Sequence, residues 1–166
     1  LSNENILAMV CDSTNVLVEG TSGSEEDVIK PLTNIIKESK GRVFVSTFAS
    51  NVTRLNTLAK IGLSLGRKVA LVGQSMWRMT EIAKACGYLS NLPSFVSERD
   101  IKNFDKDKIL IICTGSQGEP RGALNRIAHG SHRDVSISNE DTVIFSSRVI
   151  PGNEVSISEM QNKLYE

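Results

Sequence analysis

The sequence predicts an α/β fold in which a mainly parallel sheet lies between two layers of helices. Short runs of β-branched and aliphatic residues alternate along the chain with longer segments in which apolar residues recur every three or four positions. Strands that are apolar on both faces and separated by helices are typical of parallel sheets covered on both sides. The chain has 166 residues, of which 40% are hydrophobic and 23% charged, as in an ordinary soluble domain. We therefore predict one three-layer, Rossmann-like domain over residues 1–166.

The first strand is predicted at 5–11, a short apolar run that ends in a turn-forming Asp-Ser-Thr-Asn cluster. The first helix is predicted after Ser24, whose hydroxyl precedes three acidic residues in a capping pattern. Pro31 lies inside that pattern, so this helix either kinks there or begins nearer Lys30, with the proline in its first turn.

Three more strand-helix repeats follow, and each helix is bounded by capping or glycine signals. The predicted segments are a strand at 42–47, a helix capped by Ser50-Asn51 and closed by Gly66, a strand at 68–72, a helix at 75–86, a strand at 108–113 and a helix at 120–128. The last third carries apolar segments at 134–137 and 142–145 and a closing amphipathic helix at 153–164.

Composition excludes several classes of protein. No apolar run approaches the roughly 20 residues that cross a bilayer, so we expect no membrane partner. The 19 basic residues balance 19 acidic ones, so contact with a polyanion must come from a local arrangement rather than from net charge. The sequence contains no G-x-G-x-x-G after the first strand and no phosphate-binding P-loop motif. Two histidines are too few for a zinc centre built from this chain alone.

The three cysteines indicate a reducing compartment. Cys11, Cys86 and Cys113 form no C-x-x-C pair and lie in apolar or helical surroundings. We predict that all three are reduced, buried thiols that pack as small apolar side chains, and we expect a cytoplasmic protein. The N-terminus has neither a starting methionine nor a signal peptide, which predicts that the chain is a piece of a longer polypeptide.

Small polar residues follow the predicted strands. The loops at 12–15, 47–51, 73–75 and 114–120 are rich in Gly, Ser, Thr, Asn and Gln. Because ligands of parallel α/β sheets bind beyond the carboxyl ends of the strands, these loops suit a shared anionic ligand. The alternative is that they serve only as helix caps and tight turns.

Two histidines stand on one short connection, and either could titrate near neutral pH. A general-acid histidine needs a neighbour that fixes its tautomer, most often a carboxylate. Asp12, directly after the first strand, is a candidate for that neighbour. The alternatives are that His129 is a surface residue and that His132 caps a helix end.

Six short strings, in order and at compatible spacing, resemble the ribonuclease J family. They lie at 12–15 (Asp-Ser-Thr-Asn), 47–51 (Thr-Phe-Ala-Ser-Asn), 66–70 (Gly-Arg-Lys-Val-Ala), 114–120 (Thr-Gly-Ser-Gln-Gly-Glu-Pro), 130–132 (Gly-Ser-His) and 149–154 (Val-Ile-Pro-Gly-Asn-Glu). The likeness covers nearly the whole chain and corresponds to the β-CASP domain, which that family inserts into a metallo-β-lactamase fold.

The resemblance implies a zinc-dependent ribonuclease, both a 5′-3′ exonuclease and an endonuclease, that acts in RNA processing and decay. The zinc ligands would belong to the metallo-β-lactamase domain of the same polypeptide, so we expect the isolated chain to bind no metal, to be inactive and to bind RNA weakly. Residues 1–11 would lie at the junction with that domain, and a third family motif would follow Glu166. The full-length protein would be a homo-oligomer.

The resemblance also implies roles for individual residues. Asp12 matches the first β-CASP motif and would orient His132, which matches the second and would protonate the departing 3′ oxygen. The residues assigned to the RNA groove are Ser50, Asn51, Gly115, Ser116, Gln117, Gly118 and Glu119. The chain departs from the family at Arg148-Val149, where Ser-Pro is frequent, and Arg148 would either contact a phosphate or face solvent.

Two other functions remain open at this point. The first is a non-catalytic Rossmann-like module that binds nucleotides or RNA. The second is a DNA-directed nuclease, since β-CASP proteins include DNA-repair enzymes; the Gly-Ser-Gln-Gly-Glu-Pro string argues against it by resemblance alone.

Overall fold

The computed structural model describes residues 5–10, 13, 17, 19–21 and 23–166. In this part of the chain, strands and helices alternate as the sequence predicts. The strands are β1 (Val43–Ser46), β2 (Lys68–Val72), β3 (Ile109–Cys113) and β4 (Thr142–Phe145). The α-helices are α1 (Ile29–Glu38), α2 (Val52–Ser64), α3 (Gln74–Ala85), α4 (Ala123–Ala128) and α5 (Glu154–Tyr165). Short 3-10 segments lie at Glu25–Val28, Glu98–Asn103 and Lys106–Lys108.

The four strands form one parallel sheet in the order β2-β3-β1-β4. Every residue of β1 and β3 is buried, because both strands have neighbours on each side and helices above and below. The register pairs Ser46 with Cys113 and with Phe145, so the strands end together at one edge of the sheet. The predicted three-layer, Rossmann-like α/β architecture is confirmed.

Alternate residues of each strand feed two apolar clusters on opposite faces. Val43 and Val45 pack with residues of α1, α2 and α3, whereas Phe44 between them packs with residues of α4 and α5. The first cluster includes Leu32, Ile36, Leu55, Leu58, Met76 and Ala83 from its helices. The second includes Leu124, Ile127 and Met160. Together the two clusters hold the sheet between its two helical layers.

The sequence signals for helix caps predict the starts of α1 and α2 correctly and that of α4 a few residues too early. The Asn51 side chain accepts a hydrogen bond from the Arg54 N–H at 3.0 Å and caps α2. Pro31 lies in the first turn of α1, which begins at Ile29 after a 3-10 turn, so the second of the two alternatives for this proline is correct. Helix α4 begins at Ala123, later than predicted, because the Gly122 N–H bonds to the Glu119 carbonyl in a turn.

The strand predicted at 5–11 is wrong where the structure describes it. Residues 5–10 have no regular secondary structure, and the side chains of Leu7 and Val10 are fully exposed. A strand needs a neighbour to complete its ladder, and no described strand pairs with this segment. The segment 134–137 is also irregular, although Val135 is buried in the second cluster.

The cysteine prediction is correct at one position and wrong at another. Cys113 is buried in β3, and burial raises the pKa of its thiol to about 12, with Ser46 opposing that rise. Cys86 is exposed and directly follows the last residue of α3. Cys11 lies outside the described residues.

An ion pair fastens the start of β4 to the residue before β1. The Asp141 carboxylate accepts from the Arg42 guanidinium at 2.6 Å and from the Ser138 N–H at 2.8 Å. The Asp141 side chain is fully buried and that of Arg42 is 15% exposed. Burial acts to raise the pKa of Asp141, but the hydrogen bonds from Arg42 and Ser138 outweigh it and hold that pKa below the usual 3.8.

We expect Asp141→Asn to lower the free energy of unfolding by about 3 kcal/mol at pH 7, because it leaves the Arg42 charge without its partner. The folded-state pKa is depressed, so this contribution is complete above the unfolded-state pKa and is lost as pH falls through the folded-state value. Urea titrations at several pH values should therefore show a constant penalty from pH 7 to 5 that shrinks below about pH 4. The control is Asp105→Asn, a change at an exposed aspartate with no side-chain capping bond. A penalty equal to the control's would contradict the assignment.

Candidate functional site

The predicted polar loops at 47–51, 73–75 and 114–120 follow β1, β2 and β3 and meet at the carboxyl edge of the sheet, together with the loop after β4. The fourth predicted loop, 12–15, lies outside the described residues except for Ser13. Gly73 follows β2, Thr114 follows β3, Thr47 follows β1 and Ser146 follows β4. The Thr47 N–H bonds to the Cys113 carbonyl, and the Ser146 N–H bonds to the Ser46 carbonyl. The parallel register therefore continues into the loops and brings their polar residues together.

A groove of about 800 Å³, which we call the edge groove, lies beyond the ends of β2 and β3. Four segments form it: the β2–α3 loop with the start of α3, the 3-10 segment that begins at Glu98, the β3–α4 loop with α4, and the connection from α4 to β4. Its walls are mainly polar and include two arginines, Arg121 and Arg126, and one carboxylate, Glu98. The other lining residues are Gly73, Gln74, Ser75, Thr114, Pro120, Ala123, Ser131 and His132.

Gly73 shapes the floor of the edge groove. Its φ of 117° is a conformation that residues with a Cβ rarely adopt. A Cβ at this position would lie 2.5 Å from Thr114 Oγ1. Its N–H donates to Glu98 Oε1 at 2.8 Å, which ties the start of α3 to the 3-10 segment that carries Glu98. Only glycine permits both the turn and the contact between the two loops.

His132 lies in the wall of the edge groove with a side chain that is 4% exposed. The Asp134 N–H donates to its Nδ1 at 3.3 Å, and its Nε2 lies 3.8 Å from Glu98 Oε2. Burial lowers the pKa of His132, and Glu98 opposes this effect. Arg126 and Arg133 also lower that pKa, while Asp134 raises it. The lowered pKa favours a neutral imidazole near pH 7.

Glu98 is the carboxylate beside His132 that sequence reasoning missed. Asp12, the predicted neighbour, lies outside the described residues. Glu98 follows a serine at the start of a 3-10 segment, and no motif marks it. His129 is exposed, and its Nδ1 lies 2.8 Å from the Asn125 carbonyl oxygen, which agrees with its interpretation as a surface residue.

The Gln117 side chain joins two loops instead of facing the groove. It is 4% exposed. Its Nε2 donates to the Arg148 carbonyl at 2.8 Å, and its Oε1 accepts from the Ile150 N–H at 2.8 Å. Ser147 Oγ and Asn153 Nδ2 add longer contacts of 3.4 Å each. Gln117 thus clamps the Gly-Ser-Gln-Gly-Glu-Pro string to the Ile-Pro-Gly-Asn string.

Most of the remaining 115–119 loop is buried. Gly115, Ser116 and Gly118 are buried, and a Cβ on Gly118 would lie 2.5 Å from the Ser156 backbone. Glu119 is exposed, and its Oε2 accepts from the Gln117 N–H at 2.9 Å. The loop itself does not line the edge groove; its flanking residues Thr114 and Pro120 do.

The other predicted RNA contacts lie elsewhere on the carboxyl edge. Ser50 is exposed, and Asn51 lines a second groove of about 550 Å³ between α1, the start of α2 and the loop after β4. Arg54 in this groove donates to Glu25 Oε1 and to Ser146 Oγ, both at 2.6 Å. Arg148 also lines it and is exposed. The structure therefore distributes the predicted contacts along the edge instead of gathering them in one pocket.

Over the described part of the chain, no group of three or more His, Cys, Asp or Glu side chains is placed to hold a metal ion. No helix within these residues has the length and apolarity needed to cross a membrane.

A parallel sheet with polar loops along its carboxyl edge is typical of α/β domains that bind phosphorylated ligands. The model of the ribonuclease J β-CASP domain matches residues 40–164. The chain belongs to this family, and the resemblance drawn from its six strings is confirmed.

The similarity to curated relatives extends over the whole chain. Ribonuclease J of Sinorhizobium meliloti is 45% identical over 166 residues, which are 100% of this chain and 29% of that protein. Ribonuclease J of Mycoplasma pneumoniae is 41% identical over 165 residues, 99% of this chain and 29% of that protein. Ribonuclease J of Thermus thermophilus is 38% identical over 162 residues, 98% of this chain and 28% of that protein. The chain thus spans less than a third of the length of these relatives.

Proposed function

We propose that this chain is the β-CASP domain of a metal-dependent ribonuclease that acts in RNA processing and decay, as both a 5′-3′ exonuclease and an endonuclease. The observation that carries the proposal is the family match together with a polar groove at the carboxyl edge of the sheet. Polar loops and arginines at this edge suit the phosphates of RNA. The family relationship further supports a cytoplasmic, homo-oligomeric full-length protein.

The metal chemistry belongs to another part of the polypeptide. The described residues do not fit a metal centre, since they bring no three ligands together. Zinc held by a metallo-β-lactamase domain would activate the attacking water. This domain would then bind and orient the RNA beside that centre.

His132 is proposed as the general acid and Asp12 as the residue that orients it. The Asp134 N–H occupies Nδ1, so the only proton that His132 can deliver is the one on Nε2. As a general acid the ring would carry protons on both nitrogens, so Nδ1 would give up the Asp134 N–H once an anionic substrate had raised the pKa of His132. The Nε2 proton would then pass to the departing 3′ oxygen and leave a neutral ring protonated on Nδ1. What supports the proposal is that His132 lines the edge groove.

The RNA contacts are proposed along the carboxyl edge. Ser50 and Glu119 are exposed there and can meet RNA directly. Asn51 caps α2, and the buried residues Gly115, Ser116, Gln117 and Gly118 support the surface from beneath. Their contribution would come through loop shape and backbone groups.

The proposed function is tested with the full-length protein supplied with zinc or manganese, on RNA and DNA of the same sequence. We expect RNA to be degraded and DNA to stay intact, while the 166-residue chain alone leaves both intact, because the metal ligands lie outside it. Gel analysis of labelled strands gives the result. RNA binding without cleavage would favour the non-catalytic module, and cleavage of DNA alone would favour a DNA-directed nuclease.

A further inference from the structure

A further groove, separate from the edge groove, lies between α2 and α3 on the outer side of the helical layer. Its volume is about 320 Å³, and we call it the α2–α3 groove. Its main lining residues are Val52 and Asn56 of α2, Met79 and Ile82 of α3, Cys86 at the end of α3, and Tyr88. It shares no lining residue with the edge groove, and the proposed function uses none of these side chains.

The walls of the α2–α3 groove are mainly apolar, and two large side chains in them are open to solvent. Ile82 is 49% exposed and Tyr88 is 75% exposed. Met79, Ile82 and Cys86 recur at helical spacing, so one stripe of α3 forms a wall opposite Val52 of α2. The volume is about twice that of the roughly 150 Å³ cavity that holds one benzene molecule. The groove therefore has room for more than one aliphatic side chain of a partner.

Both walls are fixed to the rest of the domain. Leu55 of α2 and the residues Met76 and Ala83 of α3 are buried in the first apolar cluster. The Trp77 Nε1 donates to the Leu71 carbonyl at 3.2 Å and joins α3 to β2. Because both helices are anchored to the sheet, the groove is formed before a ligand binds, and little ordering of its walls opposes binding.

Basic side chains stand on both rims of the α2–α3 groove. Lys60 lies one helical turn after Asn56, and Arg78 lies one turn before Ile82, so each shares a helix face with a lining residue. Both are exposed. Neither forms an ion pair with a carboxylate of the described residues. The two rims therefore present positive charge to any segment that enters the groove.

The charge of the two helices favours an acidic partner. The basic residues of α2 and α3 are Arg54, Lys60, Arg78 and Lys84. Among them, only Arg54 forms an ion pair with a described carboxylate, that of Glu25 at 2.6 Å. Glu81 is the one acidic residue of these helices, so two positive charges are in excess on a chain with net charge zero. A second copy seated face to face on this groove would bring like charges together.

We propose that the α2–α3 groove docks an amphipathic helix of another protein. Apolar side chains at positions i, i+3 or i+4, and i+7 of that helix enter the groove, as the ridge of one helix packs between its neighbours. Acidic residues beside these positions pair with Lys60 and Arg78. This inference does not depend on the proposed function, since it concerns a different surface and a protein ligand.

The test selects helical peptides on the full-length protein. The probe is a displayed library of helix-forming peptides, each about 16 residues long. Positions i, i+3, i+4 and i+7 carry random apolar residues, and the positions around them carry random Glu, Gln or Lys. We expect the selected peptides to favour Glu over Lys beside the apolar positions. Fluorescence anisotropy then measures the Kd of a selected peptide for wild-type protein and for its variants.

Ile82→Ser tests the apolar contact. We expect this variant to bind the peptide at least about tenfold more weakly, because a half-exposed side chain at the centre of the groove loses its contact area. The matched control is Val155→Ser, a change at an exposed apolar position of α5, which should bind like wild type. Thermal unfolding of both variants shows that they are folded.

Lys60→Gln/Arg78→Gln tests the charged rims. We expect about tenfold weaker binding at low salt and a smaller difference at high salt, because salt screens exposed charges. The control is Lys30→Gln/Lys37→Gln, which removes the same charge from exposed positions of α1 and should bind like wild type.

Three results would overturn the inference and leave the proposed function intact. Selection that yields no peptide sensitive to Ile82→Ser would show that the groove docks no helix. Selected peptides rich in Lys, or indifferent to the rim variant, would refute an acidic partner. Light scattering that shows a wild-type oligomer dissociated by Ile82→Ser would assign the groove to a contact between copies of this protein.

Discussion

Gln117→Leu should lower the free energy of unfolding by about 1 to 3 kcal/mol and reduce RNA cleavage by the full-length protein. Leucine has a similar size but leaves the Ile150 N–H and the Arg148 carbonyl without the partners that Gln117 gives them. These hydrogen bonds are partly buried, and the loss of each costs about 0.5 to 1.5 kcal/mol. Because those bonds join the loops after β3 and β4, the carboxyl edge should lose its shape before the sheet unfolds.

Urea unfolding of the 166-residue chain and cleavage assays of the full-length protein measure the two effects. The matched control is Gln161→Leu, the same change at an exposed position of α5. We expect Gln161→Leu to change stability by less than about 0.5 kcal/mol. If both variants were equally stable and equally active, the hydrogen bonds of the Gln117 side chain would contribute neither to stability nor to activity, and Gln117 would be an ordinary buried residue.

Gly73→Ala should lower the free energy of unfolding by about 2 to 4 kcal/mol and distort the edge groove. Alanine at a φ of 117° is strained, and its Cβ would lie 2.5 Å from Thr114 Oγ1. Thr114 Cγ2 and Cβ would lie 3.2 and 3.4 Å from the new Cβ, so rotation of the threonine side chain leaves little room. We therefore expect the two loops to separate, which would also stretch the 2.8 Å bond between the Gly73 N–H and Glu98. RNA binding should therefore weaken together with stability.

A double-mutant cycle with Thr114→Ala separates the two causes. Removal of Oγ1 eliminates the clash but not the backbone strain, so the double variant should recover part of the stability that Gly73→Ala loses. Thermal unfolding of the four proteins measures the coupling. Strict additivity would show that Thr114 does not restrict this position, and the close contact of the two loops would lose its importance.

Local sequence patterns predicted the sheet because local chemistry determines its strands. Strand β2 has the predicted bounds, because Gly66 and Gly73 flank its aliphatic run. Asn51 marked the start of α2 by the same kind of local bond. The strand predicted at 5–11 is absent from residues 5–10 for a different reason. An apolar run becomes a strand only when another strand pairs with it, and no described strand pairs with this segment.

The candidate site depends on contacts between loops that are distant in the sequence. The sequence therefore predicted where the site lies better than it predicted which residues form it. The carboxyl edge follows from parallel topology alone. Glu98 gave no signal, because only the fold brings its 3-10 segment to His132. Gln117 has the side chain of an RNA contact, and only the structure shows that its amide is bonded to residues after β4.

The most direct measurement compares RNA cleavage by the full-length protein and by its His132→Ala variant, on a 5′-monophosphorylated RNA with zinc or manganese present. If His132 delivers a proton at the carboxyl edge of this domain, the rate should fall by about two orders of magnitude or more, with metal content and folding unchanged. Activity within a few-fold of wild type would contradict that role and leave His132 as a residue that packs the groove wall.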